Sequence, residues 1–191
     1  MTEPIQPSDS PARGLSRPDD LLMFRVARLM LLLDVAATLN LRKPVDIERL
    51  GLYDFFAANP FLVVANDEDA RQEVSLAGFS SYDLSYQSSG HRYANRRARL
   101  RNDLAMLVGY GAATALVEGQ RVVYRVTDRG HELASELSTL YAIAYRRSAE
   151  LILSRLDRLS DKRLRTDATR WLNDERLLID LYDQDQIQGA A

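Results

Sequence analysis

The stretch LLMFRVARLMLLLDVAATLNL, residues 21–41, constrains this chain more than any other segment. From Asp19 to Leu39 a helix would be apolar on most faces, and such a helix has to be surrounded by the rest of a fold. A bilayer could also surround it, but spanning one takes about 20 predominantly apolar residues. Here Arg25, Arg28 and Asp34 interrupt the run, and LMLLL is its longest unbroken part. The segment is predicted to be a buried central helix, and the protein to be cytoplasmic with no membrane partner. With 191 residues, 46% of them apolar and 27% charged, the chain suits one compact domain with a helical extension. Cysteine is absent, which excludes disulfides, thiol catalysis and cysteine-based metal sites.

The remaining elements follow from spacing and punctuation. Pro44 breaks the chain, and Asp46 is predicted to cap a short helix over KPVDIERL. LYDFFAANPFLVV reads as a helix carrying Leu52, Phe55 and Phe56, stopped at Asn59-Pro60. Residues 65–90 show no periodicity and are predicted to be an inserted loop. The next helix, about Arg92 to Val108, turns Tyr93, Leu100, Leu104, Leu107 and Val108 to the core and ends at Gly109 and Gly111. ATALVEGQRVVYRVT reads as two short strands joined by Gly119-Gln120, a hairpin near residues 114–126. In its second strand Val122, Tyr124 and Val126 alternate with Arg121, Val123 and Arg125, predicting an apolar face and a polar one. Thr127 is predicted to cap one long helix running from Asp128 toward Leu156, and Ser160-Asp161 to start another ending near Trp171-Leu172.

Charge is zoned although the total is only −2. Residues 45–83 hold eight acids against Arg49 and Arg71. Residues 91–130 hold eight arginines against Asp103, Glu118 and Asp128. Such zoning concerns partners. On the helical wheel Arg92, Arg96 and Arg99 form a stripe with Asp103. Arg97 falls in the apolar arc and Arg101 on the far side. With Arg121 and Arg125 of the hairpin, the stripe predicts one basic surface that binds nucleic acid or a partner. Arginine suits phosphate and carboxylate alike, because its planar fork binds either in a bidentate way. Three readings stay open: DNA backbone, an acidic partner surface, and a solvated face with local pairs such as Arg99 to Asp103.

The chain carries no sequence signature of catalysis. His91 and His131 are the only histidines, without the HExxH spacing of a zinc site. There is no nucleophile elbow and no phosphate-binding loop. The expectation is a protein that is not an enzyme and has no cofactor or metal.

Helices, a glycine-ended helix, a hairpin and another helix make the order of a winged-helix domain. LVEGQRVVYRVTDRGHEL resembles the wing of many such proteins. Taken together, LYDFFAANPFLV, LSYQSSGHRYANRRARLRNDLAMLVGYG, the hairpin and RLSDKRLRTDATRWL resemble the middle component of bacterial ABC three-component systems. Of these, the Lamassu-type anti-phage systems are best known. The resemblance runs from about Leu29 to Leu172. It departs from the family at GYGAATALVEG, where small residues stand in place of Gly-Leu-Val. It implies a non-catalytic subunit joining an SMC-like ABC ATPase to a nuclease or other effector; the arginine surface adds the expectation of non-specific contact with double-stranded DNA inside the complex. The plan is also similar to winged-helix subunits of bacterial condensins. A free winged-helix transcription regulator is the alternative.

The expected organisation is mainly α with a small β-hairpin. It comprises a disordered leader over 1–18, a winged-helix domain over 19–159 with the loop 65–90 inserted, and a C-terminal helix with an acidic tail over 160–191. In that tail Leu177, Leu178, Leu181 and Tyr182 stand at helical spacing. They are predicted either to dock on a partner groove or to pack on the domain itself.

Overall fold

A computed structural model describes residues 21–80 and 88–173, together with Pro18. The expected leader, apart from Pro18, and the tail residues Leu177, Leu178, Leu181 and Tyr182 lie outside the described residues. The architecture is mainly helical with one small antiparallel hairpin. In order, the elements are α1 (Leu22–Thr38), α2 (Ile47–Ala58), α3 (Phe61–Val64), α4 (Glu68–Leu76), α5 (Ser89–Gly109), β1 (Ala113–Glu118), β2 (Arg121–Val126), α6 (Asp128–Glu136), α7 (Leu140–Leu156) and α8 (Asp161–Leu172).

Helix α1 is the centre, packed by α2, α5, α6, α7 and β2. From Leu29 to Ala36 every residue is buried, and Leu29 and Leu32 are fully so. Each such leucine contributes roughly 1.5–3 kcal/mol by leaving water, so α1 supplies much of the core by itself. The charges that interrupt the apolar run are enclosed with it: Arg25 and Arg28 are buried as well.

The punctuation residues act where they were expected. Asp46, Thr127 and Ser160 each accept a hydrogen bond from a backbone N–H three residues on, closing the starts of α2, α6 and α8. Gly111 follows α5 with φ +69°, and the N–H groups of Gly111 and Ala112 donate to the carbonyls of Val108 and Leu107. That pairing needs the left-handed conformation glycine takes without strain. The hairpin spans the expected residues, with Thr114 opposite Arg125 and Val117 opposite Val122.

Four local expectations are corrected. The two helices predicted between Pro44 and Asn59 are a single one, α2. The stretch 65–90 contains α4: Asp67 caps it, with Glu68 and Asp69 in its first turn, so these acids complement the positive end of a helix. The long helix predicted from Asp128 is broken between Glu136 and Leu140. There Thr139 caps α7, and Arg146 donates to the carbonyls of Ala134 and Leu137, satisfying the end of α6. In β2 the buried residue is Val123, while Val122 is exposed. Tyr124 N–H donates to Val45 O at 3.0 Å beside a bridge between Asp46 and Val123, so the chain before α2 closes that side of the sheet and covers Val123.

The small residues leading into the hairpin have a steric reason. A Cβ on Gly130 would stand 2.0 Å from Ala112 O and 2.8 Å from Val126 Cγ2. The first turn of α6 therefore lies directly on the backbone of the hairpin, where Ala112 and Ala113 are buried. Finally, α8 buries Leu164 and Ala168 and sets Trp171 edge-on to Phe56, with ring centroids 5.2 Å apart.

Candidate interaction surface

The arginines of α5 divide. Arg96 points into the core at 7% exposure. Its Nε donates to Asp54 Oδ2 and its Nη1 to Asp103 Oδ2 at 3.2 Å. Arg25 grips Asp103 with two bonds of 2.8 and 3.0 Å, and Arg28 grips Asp54 with two of 3.2 and 3.5 Å. The result is a buried ladder, Arg25–Asp103–Arg96–Asp54–Arg28, which ties α1, α2 and α5 together. Tyr145 of α7 donates to Asp54 Oδ1 at 3.5 Å. Burial alone would raise the Asp54 carboxyl, but Arg28 and Arg96 together hold it below its ordinary value. Burial, and then the Asp54 charge, push the Tyr145 hydroxyl well above the usual tyrosine value. Both groups thus keep fixed charge states at neutral pH.

The prediction of Arg96 as a surface contact is therefore corrected: phosphate or partner cannot reach it without opening the core. Val108, predicted inside, is 39% exposed. Both corrections have one origin. The buried set of α5 is Arg96, Leu100, Asp103, Leu104 and Leu107, a stripe at spacings of three and four. It is rotated toward Arg96 and Asp103 from the face drawn through leucines and tyrosine alone. A signal for this exists in the chain: Arg96 and Asp103 stand seven apart and bracket Leu100. Asp54 is likewise set inside the apolar run LYDFFAA, and an acid there is expected to have a partner.

The other predicted contacts lie nearer the surface. Arg92 is half-buried over the Phe55 ring, 5.9 Å from its centroid, and donates to Asn59 Oδ1 at 2.8 Å. Arg99 and Arg101 are exposed. Arg97, the residue that the wheel put in the apolar arc, is exposed and pairs with Glu48. Arg121 donates to Asp46 at 3.2 Å and to Asp161 at 2.8 Å. Asp46 and Glu48 both belong to the start of α2, which thus meets one arginine of the hairpin and one of α5. Arg125 pairs with Glu118 across the hairpin. On the inner side of Asp161 stands the buried Arg49, which also donates to Tyr53 Oη and Leu159 O. Arg121 first, then Arg49, hold the Asp161 carboxyl below its ordinary value. This second cluster joins α2, β2 and α8.

Among the described residues no group of three or more His, Asp or Glu is placed to hold a metal ion, and no helix is long and apolar enough to cross a membrane.

The family model for the ABC-three component (ABC-3C) system Middle Component 2 matches residues 26–175. The chain belongs to this family. Neither curated proteins nor solved structures give a match. The match to the middle component takes in the hairpin, α8 and both charge clusters except Arg25. An accessory role beside partner components is what that membership implies.

Proposed function

We propose that this middle component is a non-catalytic connector joining an SMC-like ABC ATPase to an effector nuclease in a Lamassu-type anti-phage assembly of the cytoplasm. Its body is a winged helix: α1, the bridge at Asp46, α2, the recognition position α5, then the wing β1–β2. Double-stranded DNA is touched within the complex, without base readout, through Arg99, Arg121 and Arg125, with Arg92 at the margin. Family membership supports the partnership.

One observation favours the connector over the free transcription regulator. On α5, where a regulator would present base-reading side chains, Arg96 is in the core, Arg92 lies on Phe55 and Asn59, and Arg97 is engaged by Glu48. On the wing, Arg121 and Arg125 already meet carboxylates. A surface of paired charges suits protein docking and loose phosphate contact better than specific readout.

The test is co-expression with an SMC-like ABC ATPase and an effector nuclease from the same genome, followed by affinity purification of the middle component. Co-purification of both is the expected result. A chain that stays alone while protecting a palindromic DNA site at nanomolar concentration would establish the regulator instead.

A further inference from the structure

The hairpin has one closed edge and one open edge, and its register says which backbone groups face out. A two-residue link joins Glu118 to Arg121, so the pairs Glu118–Arg121, Leu116–Val123 and Thr114–Arg125 exchange their N–H and C=O groups within the hairpin. The alternate residues Val122 and Tyr124 of β2, and Ala115 and Val117 of β1, turn theirs away from it. On the β2 side this outward row is covered, since Tyr124 N–H meets Val45 O. On the β1 side no hydrogen bond among the described residues reaches the N–H or C=O of Ala115 or Val117. Leu116 and Val117 are 40% and 78% exposed.

Natural edge strands are guarded by Lys, Pro, bulges or a covering segment. Ala113–Glu118 contain no Lys, Pro or bulge, no segment among the described residues covers their outer edge, and their only charge, Glu118, is held by Arg125. We infer that the outer edge of β1 is a strand-addition site, and that it takes an extended, uncharged, β-prone segment of another component of the assembly. This rests on the connector reading.

Chemistry and size choose the occupant. Outward N–H and C=O groups repeating every second residue match only another extended backbone. Side chains at Ala115, Leu116 and Val117 offer small and apolar cross-strand neighbours, so an apolar or β-branched residue opposite them gains contact that a charged one does not. A second copy of this chain could pair through the same edge. However, six residues fall far short of the roughly 20–30 residues a side in a standing interface. A segment belonging to a partner already held in the complex needs no such area, because its effective concentration is high.

Proline at 115 or 117 removes an outward N–H without touching the bonds to β2, a placement that edge strands accept. In the co-expressed complex, hydrogen exchange at the amides of Ala115 and Val117 should slow relative to the isolated chain. The amides of Leu116 and Glu118 should change little. Ala115→Pro and Val117→Pro should each weaken partner binding about tenfold or more, while Val122→Thr, on the other strand, binds as wild type. Unchanged exchange at both amides in an intact complex overturns the edge site and leaves the connector standing. A wild-type chain that joins no component overturns the connector and the site together. A dimer of the isolated chain that Val117→Pro dissolves assigns the edge to a second copy and overturns the proposed occupant.

Discussion

The ladder through Asp54 and the cluster through Asp161 use the same chemistry, a carboxylate between two arginines, yet their settings differ. Asp54 and Asp103 have no exposure, and Arg25, Arg28 and Arg96 have nearly none. In the second cluster Arg121 and Asp161 stand partly in water and only Arg49 is enclosed. Water screens and replaces the outer contacts of the second cluster, whereas nothing replaces those of the first. The ladder therefore dictates which way α1, α2 and α5 meet, while the wing cluster trims the position of the hairpin against α8.

The largest expected effect lies in the ladder. Asp54→Ala removes from the core the carboxylate that Arg28 and Arg96 share and should cost about 3–5 kcal/mol, read as the loss in urea unfolding. A loss no larger than that of a surface variant would show that water enters the ladder. The pH dependence has a definite sign. The folded Asp54 carboxyl is held below its unfolded value. Its contribution is therefore complete above the unfolded pKa of about 3.9 and disappears as pH falls through the lower folded value. Wild type should lose stability below about pH 4, and Asp54→Asn should lose less on acidification.

Next in size is Gly130→Ala. Its Cβ would collide with the backbone carbonyl of Ala112, so α6 and the hairpin must separate. Overpacking of this kind costs about 1–3 kcal/mol. Thermal unfolding measures it, and an unchanged Tm would show that the hairpin floats free of α6.

A smaller effect belongs to His131, which meets Asp34 Oδ1 at 2.6 Å across α1 and α6. The Asp34 hydrogen bond and charge raise its pKa, with Asp128 and Glu132 adding to them. The pair's stabilisation is present in full below the unfolded pKa of about 6.5 and is lost as pH rises through the raised folded value. Wild type should soften as pH rises above about 6.5. His131→Gln should remove that slope.

The smallest stability change is expected for Arg121→Ala, whose Tm should be near wild type and differ less as salt is added. Its DNA affinity within the complex is the sharper measurement. If Arg99, Arg121 and Arg125 touch phosphates, each Ala variant should flatten the salt slope by roughly one, and Lys should restore most of the binding. Poor rescue by Lys, with assembly weakened instead, would place these arginines on carboxylates of a partner.

Local chemistry made much of the fold legible. Asp46, Thr127 and Ser160 announce helix starts, because a short polar side chain there satisfies an orphan N–H within three residues. Gly111 announces a stop, because few other residues take its φ. Gly119-Gln120 between β-prone runs announces the hairpin, and the central position of α1 follows from its apolar run. What depends on neighbours distant in sequence was not legible. Arg96 and Arg97 are adjacent and chemically identical, and only the arrival of Asp54 and Asp103 beside one of them decides that Arg96 goes in while Arg97 meets Glu48 outside. Val123 rather than Val122 is covered because the chain at Val45 pairs with β2. The break before Leu140 depends on Arg146 reaching the end of α6. Caps and turns are written in a few consecutive residues. The burial of a charge is decided by whether a counter-charge tens of residues away is delivered to it, and only the folded chain does that.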